Sequence, residues 1–126
     1  MIKVNMEELD WNKDDGLIPV VTQEADTLEV LTLAYVNREA LKLTLETGWA
    51  HYYRRSHRKV MRKGTTSGNV QKVRRVLTDC DSDALVFLVE QTGPACHLGE
   101  RTCFHKLVTS LCERAKFLGR LTCRER

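Results

Sequence analysis

Short runs in which apolar residues cluster or alternate with polar ones fill most of the chain, and such runs are typical of β-strands. Two of them, Leu17 to Val20 and Val30 to Leu33, predict neighbouring strands. The continuous apolar run Ala84 to Val89 predicts a buried strand. Val70 to Leu77 has an apolar spacing closer to 3.6 than to 2, yet its β-branched residues favour sheet. We therefore expect at least four strands.

Helical signals occur in two places. Asn37 can cap a helix over Arg38 to Thr47, and Gly48 is placed to end it. Apolar residues recurring from Leu107 to Leu118 predict a second, terminal helix. Residues 96–104 lie between strand and helix patterns and predict a structured loop.

Size and composition predict one domain over residues 1–126, since 126 residues and 14.5 kDa suit a single core. No apolar run approaches the roughly 20 residues of a membrane span. The first ten residues lack the basic-then-apolar order of a secretion signal. We therefore expect a cytoplasmic protein without membrane contact.

The net charge of +3 is small, but the basic residues are unevenly placed. Between Arg54 and Arg75 there are nine Lys or Arg residues and no Asp or Glu. This block contains a glycine-bearing segment, residues 62–69, whose backbone N–H groups, hydroxyls and cations are suited to phosphate. A hairpin turn has a similar composition, and a solvated basic face is the alternative for the block.

Three carboxylates alternate in Asp79-Cys80-Asp81-Ser82-Asp83, directly before the buried strand. In an extended chain Asp79, Asp81 and Asp83 face one way and Cys80 the other, which predicts a hard-cation site separate from the thiolate. A polar turn is the alternative. An EF-hand loop is excluded because Ala84 stands where its glycine is required.

Five cysteines cannot all pair within one chain, and in a reducing compartment such residues are often metal ligands. Six residues separate Cys96 from Cys103 on a glycine-bearing loop, so both thiols can reach one zinc ion, and Cys80 can supply a third ligand. Three thiolates leave one zinc position open for water, as in catalytic sites. Either His97 or His105 could be a fourth ligand, which would close the site, or a proton-transfer group, and the clustering favours only His97. Cys112 and Cys123 are assigned to packing or exposure.

These segments together resemble phosphoribosyl-AMP cyclohydrolase, an enzyme family of histidine biosynthesis, over about residues 15–106. The matching runs are LAYVN (33–37), EAL (39–41), TLETG (44–48), HY (51–52), RKG (62–64), TSGNVQ (66–71), DCDSDAL (79–85), VEQ (89–91), GPACH (93–97), and Gly99 through to Cys103-Phe104.

The resemblance implies a mainly β (α+β) fold, a small β pseudo-barrel capped by a helix, in an intertwined homodimer. It assigns one zinc per subunit to Cys80, Cys96 and Cys103, with Cys80 supplied by the other subunit. It assigns magnesium to Asp79, Asp81 and Asp83. No second enzymatic domain is expected after residue 106, where only a C-terminal helix or tail over 107–126 remains.

The implied reaction is the third step of histidine biosynthesis, hydrolysis of the N1–C6 bond of 1-(5-phosphoribosyl)-AMP by a zinc-activated water. His97 would move the proton. The substrate's phosphates or ribose would be held by the 62–69 segment, through Arg62, Lys63, Thr66, Ser67, Gly68 and Asn69.

This chain departs from the family at five positions: Leu28 replaces a turn glycine, Tyr53 and Met61 replace tryptophans, Thr65 replaces an acidic residue, and His105 replaces a tyrosine. A small zinc-containing RNA-binding protein is the alternative function, using the basic block and nearby aromatics. It leaves the three aspartates unexplained, because carboxylates repel a phosphate backbone. A purely structural zinc module is a third reading, which four protein ligands and no bound water would support.

Overall fold

The computed structural model describes residues 1–111, and it is mainly strand with one α-helix. After a 3₁₀ turn at Met6–Glu8, the elements in chain order are β1 (Ile18–Glu24), β2 (Val30–Val36), α1 (Arg38–Thr47), β3 (His51–Arg54), β4 (Lys59–Arg62), β5 (Gln71–Thr78) and β6 (Leu85–Gln91). The predicted β class is confirmed. The short β3–β4 hairpin was not predicted, because its residues are charged and aromatic rather than alternating.

Four strands form the main sheet in the order β2-β1-β6-β5, and β3 and β4 form a separate two-stranded sheet. β1 pairs antiparallel with β2 and parallel with β6, and β5 pairs antiparallel with β6. In the described residues the main sheet stays open, with β2 and β5 as its edges. The expected pseudo-barrel is thus not a closed one.

One face of the main sheet builds the core. In β1 and β6 every second residue is buried. Ile18 and Val20 of β1 and Phe87 and Val89 of β6 belong to one core cluster, which also includes residues of α1. α1 packs against β2, β3 and β4, and its apolar residues Ala40 and Leu41 are buried in the contact. The core therefore joins both sheets and the helix into one unit.

The ends of α1 follow the predicted pattern. The Asn37 side chain accepts a hydrogen bond from the Ala40 N–H at 2.8 Å, which satisfies one of the free donors of the first turn. Gly48 ends the helix in the left-handed conformation at φ 80°, where its N–H donates to the Thr44 carbonyl.

More than half of the predicted terminal helix, Leu107 to Leu118, lies outside the described residues. Residues 107–110 are irregular, and Cys112 and Cys123 belong to the part that is not described. Within residues 1–111 no helix combines the length and apolar character needed to cross a membrane.

Leu28 adopts a left-handed backbone conformation, φ 64°, in the turn between β1 and β2, at the position where the resemblance described above leads us to expect glycine. A leucine there is strained because its Cβ crowds the carbonyl, and its side chain is 58% exposed. We expect Leu28→Gly to raise the free energy of unfolding by about 0.5–1 kcal/mol, the strain relieved less the entropy cost of glycine. Urea denaturation measures this change.

Leu33→Gly is the matched control, because Leu33 is a similarly exposed leucine (54%) inside β2. Glycine within a strand lowers stability by about 0.5–1 kcal/mol. A Leu28→Gly variant that is less stable than the wild type would contradict the strain argument.

Candidate active site

The loop after β6 brings two cysteines side by side. Ala95 N–H donates to the Arg101 carbonyl and Cys96 N–H to the Glu100 carbonyl, so the intervening residues form a closed loop. Cys103 N–H donates to the Leu31 carbonyl at 2.8 Å and ties the end of the loop to β2. Burial raises the pKa of the Cys103 thiol, and the adjacent Cys96 thiol raises it further. Two neighbouring thiols of this kind are suited to a soft metal ion.

The aspartate-rich segment is a turn and not an extended chain, so the predicted division of side chains between two faces is wrong. Ser82 N–H donates to the Asp79 carbonyl, and Ser82 has a φ of 58°. The reason is local competition, because the Asp79 carboxylate accepts from the N–H groups of Asp83 (3.0 Å) and Ala84 (3.3 Å). The polar-turn alternative describes the backbone correctly.

Each of the three carboxylates has its own partner in this turn. Asp79 caps the backbone, Asp81 Oδ1 lies 3.5 Å from Cys80 Sγ, and Asp83 pairs with Lys13 at 2.5 Å. The hydrogen bond from Lys13 lowers the pKa of Asp83. The hydrogen bond with Asp81 and the nearby charges raise the pKa of the Cys80 thiol. Cys80 and Asp81 thus contact each other, where sequence reasoning had separated them.

Cys80 lies far from the other two cysteines within one chain. It follows β5, at one edge of the main sheet, whereas Cys103 is hydrogen-bonded to β2 at the opposite edge. Three strand spacings separate these edges, about 14 Å. Across residues 1–111, no three His, Cys, Asp or Glu side chains come together as a metal-binding group. Neither predicted ligand trio is assembled by a single chain.

The glycine-bearing 62–69 segment packs against the beginning of the cysteine loop. Lys63 Nζ donates to the Ala95 carbonyl at 2.8 Å, and its charge lowers the pKa of Cys103 in opposition to burial. Gly64 has a φ of 84°, and a Cβ there would lie 2.5 Å from the backbone of Asn69. This position therefore requires glycine.

Most of the predicted phosphate-binding residues lie at the surface of this segment. Arg62, Thr66, Ser67 and Gly68 are exposed, while Lys63 and Asn69 are half-buried. Gly68 N–H donates to the Gly64 carbonyl, which closes the segment into a compact turn. The segment thus lies against the loop that carries the thiol pair, with the Lys63 charge near Cys103.

The two candidate histidines differ in their surroundings. His97 is exposed directly beside Cys96. His105 Nδ1 lies 2.9 Å from the Thr102 carbonyl, an acceptor only, so Nδ1 carries the proton there. Of the two, His97 is the one adjacent in sequence to a thiol of the pair.

Sequence reasoning missed a buried polar group beneath the site, and it missed Lys13. Tyr52 of β3 bridges Thr22 and Gln71 in the core. Desolvation strongly raises the pKa of the Tyr52 hydroxyl. A polar residue inside an apolar strand pattern is the signal for such a group, whereas nothing local marks Lys13 as the partner of Asp83.

Comparison with known proteins identifies the family. The model of the phosphoribosyl-AMP cyclohydrolase family matches residues 32–105. Phosphoribosyl-AMP cyclohydrolase of Cenarchaeum symbiosum (strain A) is 54% identical over 100 residues, covering 79% of this chain and 93% of that protein. The protein of the same name from Archaeoglobus fulgidus is 59% identical over 93 residues, covering 74% and 86%.

A bifunctional relative also matches most of this chain. Histidine biosynthesis bifunctional protein HisIE of Pyrococcus furiosus is 50% identical over 101 residues, which cover 80% of this chain and 48% of that protein. The family model spans more than half of the chain. The match covers most of each cyclohydrolase and about half of the bifunctional protein. The chain therefore belongs to the phosphoribosyl-AMP cyclohydrolase family.

Proposed function

We propose that this protein hydrolyses the adenine ring of 1-(5-phosphoribosyl)-AMP in histidine biosynthesis. Family membership supports the reaction, and the observation that carries it in this chain is the contact between Lys63 and the Ala95 carbonyl. That contact holds the segment to which we assign phosphate binding against the loop that carries the Cys96 and Cys103 thiols. A nucleotide held by its phosphate there would present its base to the thiols.

In the proposed reaction one water is consumed. Alkylation at N1 leaves C6 of the adenine electron-poor, so the water oxygen bonds to C6 and becomes the carboxamide oxygen. The N1–C6 bond breaks, and the two protons of the water go to the leaving ring nitrogen and to the exocyclic nitrogen of the imino form. We assign the transfer of the proton that reaches the ring nitrogen to His97, which is exposed next to Cys96. Arg62 and Lys63 would bind phosphate by charge, and Thr66, Ser67, Gly68 and Asn69 by hydrogen bonds.

Zinc fits the cysteine ligands only when they are drawn from two chains. Cys96 and Cys103 are adjacent, and their chemistry suits zinc, but Cys80 of the same chain is at the opposite edge of the sheet. When bound with three protein ligands, zinc supplies a water whose pKa is lowered to about 7. We assign Cys96 and Cys103 of one subunit and Cys80 of another to each such site.

Exposed apolar surface supports the homodimer that a zinc site shared between two chains requires. Cys80 and Asp79 line a groove of about 800 Å³ whose walls include the exposed side chains of Ile2, Val4 and Leu45. After Cys103 the chain exposes the large apolar side chains of Phe104, Leu107 and Val108. Covering the groove with this segment of a second copy would bring the second copy's thiol pair to Cys80.

Magnesium at Asp79, Asp81 and Asp83 stays a prediction. Carboxylates are the ligands that magnesium prefers. In the single chain, however, Lys13 holds Asp83 and backbone N–H groups hold Asp79, so the trio does not fit the ion as arranged. No step of the reaction is assigned to magnesium.

A cytoplasmic location suits this proposal, because Cys80, Cys96 and Cys103 are free thiols and a reducing compartment keeps them so. The proposed partners are the nucleotide and a second copy of the chain, with no role for nucleic acid or a membrane.

The test is to incubate the purified protein with the nucleotide, with and without a zinc chelator, and to follow ultraviolet absorbance as the ring opens. We expect turnover that the chelator abolishes and added zinc restores. Absence of turnover together with salt-sensitive binding of single-stranded RNA would instead favour the RNA-binding alternative.

A further inference from the structure

A chain of buried hydrogen bonds crosses the core from β1 to the edge of the site. Thr22 Oγ1 and Tyr52 Oη lie 2.7 Å apart, Tyr52 Oη lies 2.6 Å from Gln71 Oε1, and Gln71 Nε2 lies 2.8 Å from Gln91 Oε1. Thr22 and Gln71 are fully buried. The chain links β1, β3, β5 and β6, and the reaction proposed above uses none of its members.

The direction of every proton in this chain is fixed by its partners. Gln71 Oε1 can only accept, so Tyr52 donates its single proton to Gln71. Thr22 must then donate to Tyr52. Gln71 in turn donates through Nε2 to Gln91 Oε1, which leaves the Gln91 amide hydrogens pointing onward. All donor groups therefore point toward the Gln91 end of this series of hydrogen bonds.

That end is the junction of the two site segments. Gln91 Nε2 lies 3.2 Å from the Thr92 carbonyl and 3.5 Å from the Asn69 carbonyl. Asn69 closes the 62–69 segment, and Thr92 opens the stretch that leads to Cys96. Thr92 N–H also donates to the Val70 carbonyl at 3.0 Å. The two segments are therefore hydrogen-bonded to each other at this point.

The packing at the junction is tight. A Cβ at Gly93 would lie 2.5 Å from Asn69 Oδ1, so the Asn69 side chain sits directly on the backbone of the cysteine-bearing stretch. A shift of one segment therefore has to move the other. This contact is one of several that set the separation between the segment and the cysteine-bearing stretch.

From this geometry we propose that Gln91 is a positioning residue, which holds the 62–69 segment at a fixed distance from the cysteine loop so that one nucleotide reaches both. This proposal rests on the proposed function, because that function supplies the nucleotide substrate. The distance between phosphate and base of a nucleotide has a limited range, so we expect a displacement of about 1 Å at the junction to lower kcat/KM by roughly 100-fold.

The test compares Gln91→Leu with Gln23→Leu. Gln23 is a matched control because it is also a strand glutamine whose Nε2 donates to a turn carbonyl, that of Leu28, at 3.0 Å. For Gln91→Leu we expect KM for 1-(5-phosphoribosyl)-AMP to rise about 10- to 100-fold with a smaller change in kcat. Gln23→Leu should keep the wild-type values.

Amide hydrogen exchange separates positioning from general destabilisation and needs no activity. In Gln91→Leu the amides of Gly68 and Val70 should exchange about tenfold faster, while those of α1 keep wild-type rates. Unchanged exchange in residues 64–70 with a wild-type KM would overturn the proposal. If even the wild type fails to hydrolyse the nucleotide, the proposed function is wrong, and the exchange comparison still decides the role of Gln91.

Gln91→Glu serves if the leucine variant does not fold. It keeps the oxygen that accepts from Gln71 but replaces the donor amide with a carboxylate oxygen facing two carbonyls. The same rise in KM and the same local exchange are expected. Wild-type values for both measurements would count against the proposal.

Discussion

Cys96→Ala is expected to lose bound zinc and to lower kcat/KM by about 1000-fold or more, because removal of the metal removes several kcal/mol of transition-state stabilisation. Cys96 is buried beside Cys103, and no other described cysteine lies close enough to replace it. The measurements are zinc content by elemental analysis and steady-state hydrolysis of the nucleotide. The fold should survive, since alanine fits the volume that the thiol leaves.

Cys123→Ala is the control, as this cysteine belongs to the C-terminal tail and to no proposed ligand set. It should keep its zinc and its activity. A Cys96→Ala protein that turns over at the wild-type rate without bound metal would show that the thiol pair has no part in the reaction.

Local patterns were sufficient for most of the main sheet and the helix. Alternating burial in β1 and β6 follows directly from their apolar residues, and Asn37 and Gly48 bound α1 as their chemistry requires. β5 was ambiguous for a physical reason. A register shift between Val73 and Arg75 inserts an extra residue, so Val73 and Val76 both pack on the core although they are three apart.

Residue types suggested a candidate site, but its geometry could not be predicted from them. The aspartate turn depends on the Asp79 side chain competing for backbone N–H groups, which alternation of carboxylates does not reveal. The Lys63–Ala95 and Lys13–Asp83 contacts join residues 32 and 70 positions apart. Such pairs arise from tertiary packing, and a single sequence carries no local signal for them.

Complementation between inactive variants is the second large effect that we expect. Cys80→Ala and Cys96→Ala should each be inactive as homodimers, because every site loses one ligand. In a mixed dimer of the two, one site lacks both Cys80 and Cys96, whereas the other has Cys80 from one chain and Cys96 and Cys103 from its partner. That second site is intact, as the symmetry of a two-fold dimer requires.

The matched control is the mixed dimer of Cys96→Ala and Cys103→Ala. Cys96 and Cys103 belong to the same loop of the same chain, so each site in this dimer still lacks one ligand. It should stay inactive. Activity in the control would mean that the two thiols of the loop serve different sites.

The most direct measurement is therefore the activity and zinc content of mixed Cys80→Ala/Cys96→Ala dimers, co-expressed with two different tags and purified through both. A zinc site shared between chains predicts about half of the wild-type activity and about one zinc per dimer, since one site of two is complete. A mixed dimer as inactive as its parents, or a fully active monomer, would contradict the shared site.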